Sequence, residues 1–261
     1  MDDRARAFWE RYWPDQTPTM MAPTMSRVLD GIKLEHLYTI LPEIGSTLEV
    51  GCGSARLSCL LAQQGYRTVC LDFSRTALAA ARANYALGGA PGRFVVGDAP
   101  ALPFCDGRFD VVLSTGLLEH FQDPSPIVRE MVRVLKAGGL FYSDIVPRKF
   151  SLFRSLDRVR EVWRFLRNRS EKPETYYERP FSREEIRSLL EGAGLRGTQV
   201  FPAGVMPPYL PILFRSSRLR EGQVRFVERT RTFWKRLDNT RLAEWLGFYY
   251  FAWGRKPSAH S

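Results

Sequence analysis

Residues Leu48-Glu49-Val50-Gly51-Cys52-Gly53-Ser54-Ala55 read as a short apolar strand that enters a glycine-punctuated turn and continues into a helix. Glycine, lacking Cβ, lets the backbone turn through positive φ and come close to a ligand. The helix behind such a turn offers unpaired N–H groups to a carboxylate or phosphate. A dinucleotide loop would read G-x-G-x-x-G, its third glycine serving close helix packing. Arg56 stands at that place here, so the loop is expected to disfavour NAD and NADP. Taken alone, the segment also fits an ordinary strand-to-helix turn, and the spacing around it has to decide.

Outward from this loop, strands and helices alternate. Ala55–Gln64 has a helical pattern, Arg67–Leu71 is a strand, and Ser74–Leu87 is an Ala-rich helix with Ser74 as N-cap. Strands follow at Arg93–Val96 and Phe109–Ser114. A helix over Ser125–Leu135 stops before Ala137-Gly138-Gly139, and Leu140–Val146 is the next strand. Repeated βα units of this length predict an α/β fold with a mostly parallel sheet and helices on both faces. Residues 1–45 read as helices broken by the loop PDQTPTMMAPT.

Beyond Val146 the pattern changes. Ser151–Asn168 is a basic amphipathic helix, with Leu152, Leu156, Val159, Trp163 and Leu166 on one face and Arg154, Arg158, Arg160, Arg164 and Arg167 around it. Ser182–Gly192 opens with a capping box, Ser182 and Glu185. Gln199–Phe201 and Phe248–Trp253 read as strands, separated by an apolar, Pro-rich stretch and an Arg-rich helical region. The expected organisation is an N-terminal helical cap (1–45), a core (46–147), a basic helical lid insertion (148–178), and a C-terminal part of the core (179–261) carrying a second lid insertion around 203–245.

A chain of 261 residues with 44% hydrophobic content is ample for one α/β core. No run of about 18 apolar residues suggests a membrane span, and the charged, aromatic N-terminus lacks a secretory h-region. Cys52, Cys59, Cys70 and Cys105 show no CxxC spacing, so reduced thiols in a cytoplasmic protein are expected, with no metal site. The net charge of +10 is uneven: residues 1–147 carry −2 and residues 148–261 carry +12. That asymmetry fits an anionic acceptor, contact with an anionic membrane surface, or a solvated Arg-rich face.

The acids complete the pattern. Asp72 ends the second strand about 20 residues past the loop, where a carboxylate can accept both ribose hydroxyls. Asp98 ends the third strand in Gly97-Asp98-Ala99, where it can accept from an adenine amino group. With Leu102-Pro103-Phe104, Phe109-Asp110-Val111-Val112, Leu118-Glu119-His120 and Leu135-Lys136-Ala137-Gly138-Gly139, the chain resembles the class I S-adenosylmethionine-dependent methyltransferases, in the branch of ubiquinone and menaquinone methyltransferases. The resemblance covers roughly residues 45–147 strongly and 175–257 weakly. Ala55 and Ala137 depart from the Gly and Pro of the family pattern.

The resemblance implies a Rossmann-like sheet of seven strands, the last antiparallel, with S-adenosyl-L-methionine as cofactor. It implies that Glu49, Gly51, Cys52 and Gly53 line the methionine and ribose pocket. Asp72 would hold the ribose, Phe73 would flank the adenine, Asp98 and Ala99 would read it, and Ser114 and Thr115 would pass near the methionine end. Should the acceptor have to lose a proton, His120 is the candidate base, weighed against a helix-start His that only fixes the loop. Glu119 shares that ambiguity. Tyr12, Trp13 and Arg27 could close over the cofactor. The expected function is methyl transfer to a hydrophobic or anionic small molecule such as a quinone precursor, polyketide or glycolipid. Two alternatives stand beside it: an RNA methyltransferase, and a cofactor-binding but silent partner subunit. Against nucleic acid, Ser114-Thr115-Gly116-Leu117 stands where base-amino methyltransferases carry (D/N)PPY, and no RNA-binding module is appended. Pro207-Pro208-Tyr209 lies outside the nucleotide core.

Overall fold

The computed structural model describes residues 3–13, 25–145, 178–206 and 217–258. Two helices, α1 (Asp3–Tyr12) and α2 (Met25–Leu37), precede the alternating core of β1 (Ser46–Val50), α3 (Arg56–Gln63), β2 (Arg67–Asp72), α4 (Arg75–Gly88), β3 (Arg93–Val96), β4 (Phe109–Thr115), α5 (Ser125–Val134) and β5 (Leu135–Ile145). Then come α6 (Arg183–Gly192), β6 (Arg196–Ala203), α7 (Ser217–Lys235), α8 (Arg241–Leu246) and β7 (Tyr249–Arg255). The basic helix expected over Ser151–Asn168 and the Pro207-Pro208-Tyr209 stretch lie outside the described residues.

The strands form one sheet in the order β3-β2-β1-β4-β5-β7-β6. Strands β1 to β5 pair in parallel, and β7 runs antiparallel to both β5 and β6. This is the Rossmann-like arrangement with an antiparallel seventh strand. Every residue of β1 is buried, as a parallel strand covered on both faces requires. Along β4 and β5 the alternation sorts side chains by face. Val112, Phe141 and Ile145 join Val128, Met131, Ile186 and Leu190 of α5 and α6. Val111, Leu113, Leu140 and Tyr142 join Leu34 and Leu37 of α2 and Leu57 and Leu61 of α3. Each large side chain removed from water this way contributes about 1.5–3 kcal/mol.

Local signals placed several ends correctly. Ser74 caps α4 by accepting from the Ala77 N–H at 3.1 Å. The Ser182–Glu185 capping box at α6 is formed in both directions. One boundary differs. Strand β5 begins at Leu135, not Leu140, and Ala137-Gly138-Gly139 lies within it. Leu135 pairs with Phe109 of β4, and Gly138 N–H donates to Lys256 O while Lys256 N–H donates to Gly139 O. Pairing with neighbours remote in sequence carries the strand through glycines that look locally like a stop.

Candidate functional site

A cavity of about 370 Å³ opens above the carboxyl ends of the parallel strands, where loops leaving successive strands converge. The β1–α3 loop forms its floor. Gly51, Gly53 and Ala55 all take left-handed backbone, with φ of 64°, 51° and 51°. A Cβ on Gly51 would stand 2.5 Å from Leu117 Cδ1, and one on Gly53 2.5 Å from Trp13 Cη2. Glycine at both positions avoids left-handed strain, and a side chain there would have to displace Leu117 or Trp13. Ala55 pays the steric cost of the left-handed region that glycine avoids.

Asp72 leaves the end of β2 buried. Its Oδ2 accepts from the Gly53 N–H at 2.9 Å and its Oδ1 from the Ser74 N–H at 3.0 Å, which ties the glycine loop to the start of α4. Burial raises its carboxyl above the ordinary range despite these hydrogen bonds, with Glu10 adding a like charge. Glu49, at the centre of the sheet, accepts from Thr115 Oγ1 at 3.0 Å and from the Ser58 N–H at 3.3 Å. Burial outweighs these contacts and pushes it up to about 7. Phe73, Asp98 and Ala99 line one end of the cavity, and Cys52 lines the floor.

The opposite end is built by segments remote in sequence. Asp144, at the end of β5, holds Lys33 of α2 at 2.7 Å and also accepts from the Gly116 N–H at 3.0 Å and the Tyr142 hydroxyl at 3.3 Å. Burial alone would lower the Lys33 ammonium, but Asp144 and Asp30 raise it overall. Asp30 in turn holds Arg56 at 2.7 Å. Glu119 is 2% exposed, lines the cavity, and its Oε2 finds no hydrogen-bond partner among the described residues. Burial pushes its carboxyl up to about 8, and Asp144 and Glu178 add to the rise against Lys33. The Tyr249 hydroxyl, also buried at the cavity, is likewise unpartnered among the described residues.

Helix α1 covers the opening. Glu10 sits at the start of α4, accepting from Ser74 Oγ at 3.1 Å and Thr76 Oγ1 at 2.9 Å, a favourable place for a carboxylate. Arg6 pairs with Asp98 and lies over the Phe73 ring, 5.2 Å from its centroid. Trp9 meets His120 edge to face at 5.1 Å.

Of the residues singled out in the sequence, Glu49, Gly51, Cys52, Gly53, Asp72, Phe73, Asp98, Ala99, Thr115 and His120 line this cavity, as do Tyr12 and Trp13. Ser114 is not among the lining residues. It points into the sheet interior, its Oγ 2.9 Å from Ser143 Oγ, because alternate residues of a strand face opposite sides and Thr115 takes the outward turn. Arg27 turns away toward Glu228 of α7, 3.5 Å off. Sequence reasoning missed Arg6, Lys33, Asp144 and Tyr249. Asp144 carried a usable signal, since it ends a parallel strand. Tyr249 carried none, because it reaches the same edge only by starting an antiparallel strand.

Residues 48–143 match the model of a family described as a methyltransferase domain. The chain is 35% identical over 122 residues to ajmaline N-methyltransferase of Rauvolfia serpentina, a match covering 43% of this chain and 42% of that protein. It is 30% identical over 155 residues to the ubiquinone biosynthesis O-methyltransferase of Xanthomonas euvesicatoria, covering 58% and 63%. The chain thus spans about half the length of these curated relatives. The solved SAM-dependent methyltransferase of Thermotoga maritima superposes with a TM-score of 0.60 at 20% identity, over 97% of this chain and 99% of that one, which establishes the shared fold.

Proposed function

We propose that this chain, whose residues 48–143 match the model of a methyltransferase domain, transfers a methyl group from S-adenosyl-L-methionine to a small molecule. The observation that carries the reading is the convergence of the Gly51–Ala55 loop with the Asp72 carboxylate on one cavity, joined by the Gly53 N–H. The residues suit the cofactor. Glycine backbone gives close approach, Asp72 and Asp98 supply acceptors for ribose and adenine, and Phe73 supplies an apolar wall. Five acidic side chains on the lining besides Glu119 (Asp30, Glu49, Asp72, Asp98 and Asp144) against Lys33 and Arg56 suit a molecule bearing a sulfonium and an ammonium.

When bound, the cofactor supplies an activated methyl on a positively charged sulfur. The protein's share is alignment and the exclusion of water. In this reading Asp72 orients the ribose, and Trp9, Tyr12 and Trp13 of the α1 segment close the cavity mouth. His120, beside Trp9 on the lining, is the candidate base should the acceptor have to lose a proton to it. The relatives' own descriptions include an N- and an O-methyltransferase, so the methylated atom is not carried over from them. Among the described residues no helix is long and apolar enough to cross a membrane.

Calorimetric titration with S-adenosylhomocysteine tests the reading. Low-micromolar to sub-millimolar binding is expected, and a folded preparation that binds none would end it.

A further inference from the structure

Glu119 Oε2 and the Tyr249 hydroxyl are the two buried side-chain polar atoms of the cavity lining that find no hydrogen-bond partner among the described residues. The other charged groups at this end are matched. Asp144 has Lys33, the Gly116 N–H and the Tyr142 hydroxyl, Asp30 has Arg56, and Glu49 has Thr115 and the Ser58 N–H. A buried polar atom left unpaired costs about 1–3 kcal/mol, and more when charged. Both unanswered groups border space a small molecule can enter. The two lining cations are committed to Asp144 and Asp30, so the described wall has no spare cation to meet an anionic acceptor.

We propose that the Glu119 carboxylate and the Tyr249 hydroxyl anchor the acceptor, and that the acceptor presents them with an amine. This rests on the methyltransferase reading and names its substrate class. An ammonium entering beside ionised Glu119 gives one proton to a carboxylate oxygen, and the nitrogen is left neutral with a free lone pair. That lone pair forms the new bond to the methyl carbon as the C–S bonding pair returns to sulfur. The positive charge passes from sulfur to nitrogen, and the proton rests on Glu119. Glu119 is then a catalytic residue and Tyr249 fixes the orientation of the acceptor. The aromatic walls, Trp9, Trp13, Phe121 and Phe248, favour a flat apolar body behind the amine.

The groups around Glu119 set the sign of the pH dependence. They are Asp144 on β5, Lys33 on α2, Glu178 and Arg179 on the segment before α6, Tyr249 on β7, and His120 beside it. Burial and the nearby carboxylates hold Glu119 protonated to about 8, so it gains its charge as pH rises through that value.

The test uses the full chain saturated with S-adenosylhomocysteine and three probes that share an indol-3-yl-ethyl body: tryptamine, tryptophol and indole-3-propionate. Calorimetry is expected to show tryptamine binding about ten-fold tighter than indole-3-propionate, with tryptophol between. Tryptamine affinity rises from pH 6.5 to 8.5 in the wild type, across the ionisation of Glu119 near 8. Glu119→Gln loses about ten-fold for tryptamine together with that pH slope and keeps S-adenosylhomocysteine affinity within about two-fold. Tyr249→Phe, a second and milder variant, loses about three-fold. Equal or tighter binding of indole-3-propionate, an unchanged tryptamine affinity and slope in Glu119→Gln, or no binding of any probe to the saturated protein overturns the proposal. Failure of S-adenosylhomocysteine itself to bind, seen in the first titration, overturns the methyltransferase reading and the anchor with it.

Discussion

Glu119 shows how one side chain couples stability to pH. Its carboxyl binds a proton more tightly folded, near 8, than unfolded, near 4.5. The folded state is therefore favoured at low pH. That contribution is fully present below about 4.5 and is lost as pH rises through about 8. Glu119→Gln removes the dependence. The expected outcome is coincident melting of variant and wild type at pH 4 and a more stable variant above the Glu119 value near 8, by at most ~5 kcal/mol. Equal midpoints at high pH would show that the carboxyl is answered after all. Lys33 makes the opposite case. Lys33→Met leaves Asp144 charged in a buried site, and a loss of about 3–5 kcal/mol in denaturant unfolding is expected. Asp72→Ala should weaken S-adenosylhomocysteine binding by roughly 1.5–3 kcal/mol, through the lost ribose acceptor and the loosened Gly53 N–H. Unchanged affinity would remove Asp72 from the ribose.

Among the elements, α1 has a position that its composition does not announce. Its aromatic residues read equally well as ordinary helical packing, yet Trp13 closes on Gly53 and Glu10 caps α4. Arg6 engages Asp98 and Phe73, the residues assigned to the adenine. If Arg6 competes for them, Arg6→Ala frees Asp98 and tightens S-adenosylhomocysteine binding by up to about five-fold, as the loss of a half-exposed pair of ~1 kcal/mol permits. Weaker binding in that variant would make Arg6 a part of the closed cofactor site. Helix α7, within the stretch read as a second lid, packs on α2, with Val224 and Val227 against Val28 and Ile32. Its influence on the cavity therefore passes through α2, which carries Asp30 and Lys33. The helix starts at Ser74 and Ser182 were legible because a cap is a local hydrogen bond. The early start of β5 was not, because its partners lie in β4 and at Lys256.

For the molecule as a whole, ligand binding and folding are linked. Saturation at about 100 times the dissociation constant stabilises by about 2.7 kcal/mol, so S-adenosylhomocysteine should raise the melting midpoint by about 5 °C. NADH at the same concentration should leave it unmoved, since Arg56 fills the third-glycine position and is held by Asp30. A comparable shift with NADH would place the loop among dinucleotide binders. The charge asymmetry takes on a different meaning in three dimensions. The +12 half of the chain supplies none of the charged residues of the described cavity lining, which all come from residues 30–144 and are mostly acidic.

The sequence by itself determined the alternating α/β order, the glycine loop and the acids at the ends of β2 and β3. Each of these depends on chemistry within a few residues: strand periodicity, caps, and glycine's access to positive φ. It also pointed to a methyltransferase, because those local features together resemble a known family. Only the tertiary structure decided which groups meet across the cavity. Lys33 finds Asp144 over 111 residues of chain, Tyr249 reaches the site edge because β7 runs antiparallel, and Ser114 turns inward beside Ser143. Glu119 is buried with its Oε2 unpartnered among the described residues for the same reason. Burial and pairing are properties of neighbours, and here the neighbours come from distant parts of the chain.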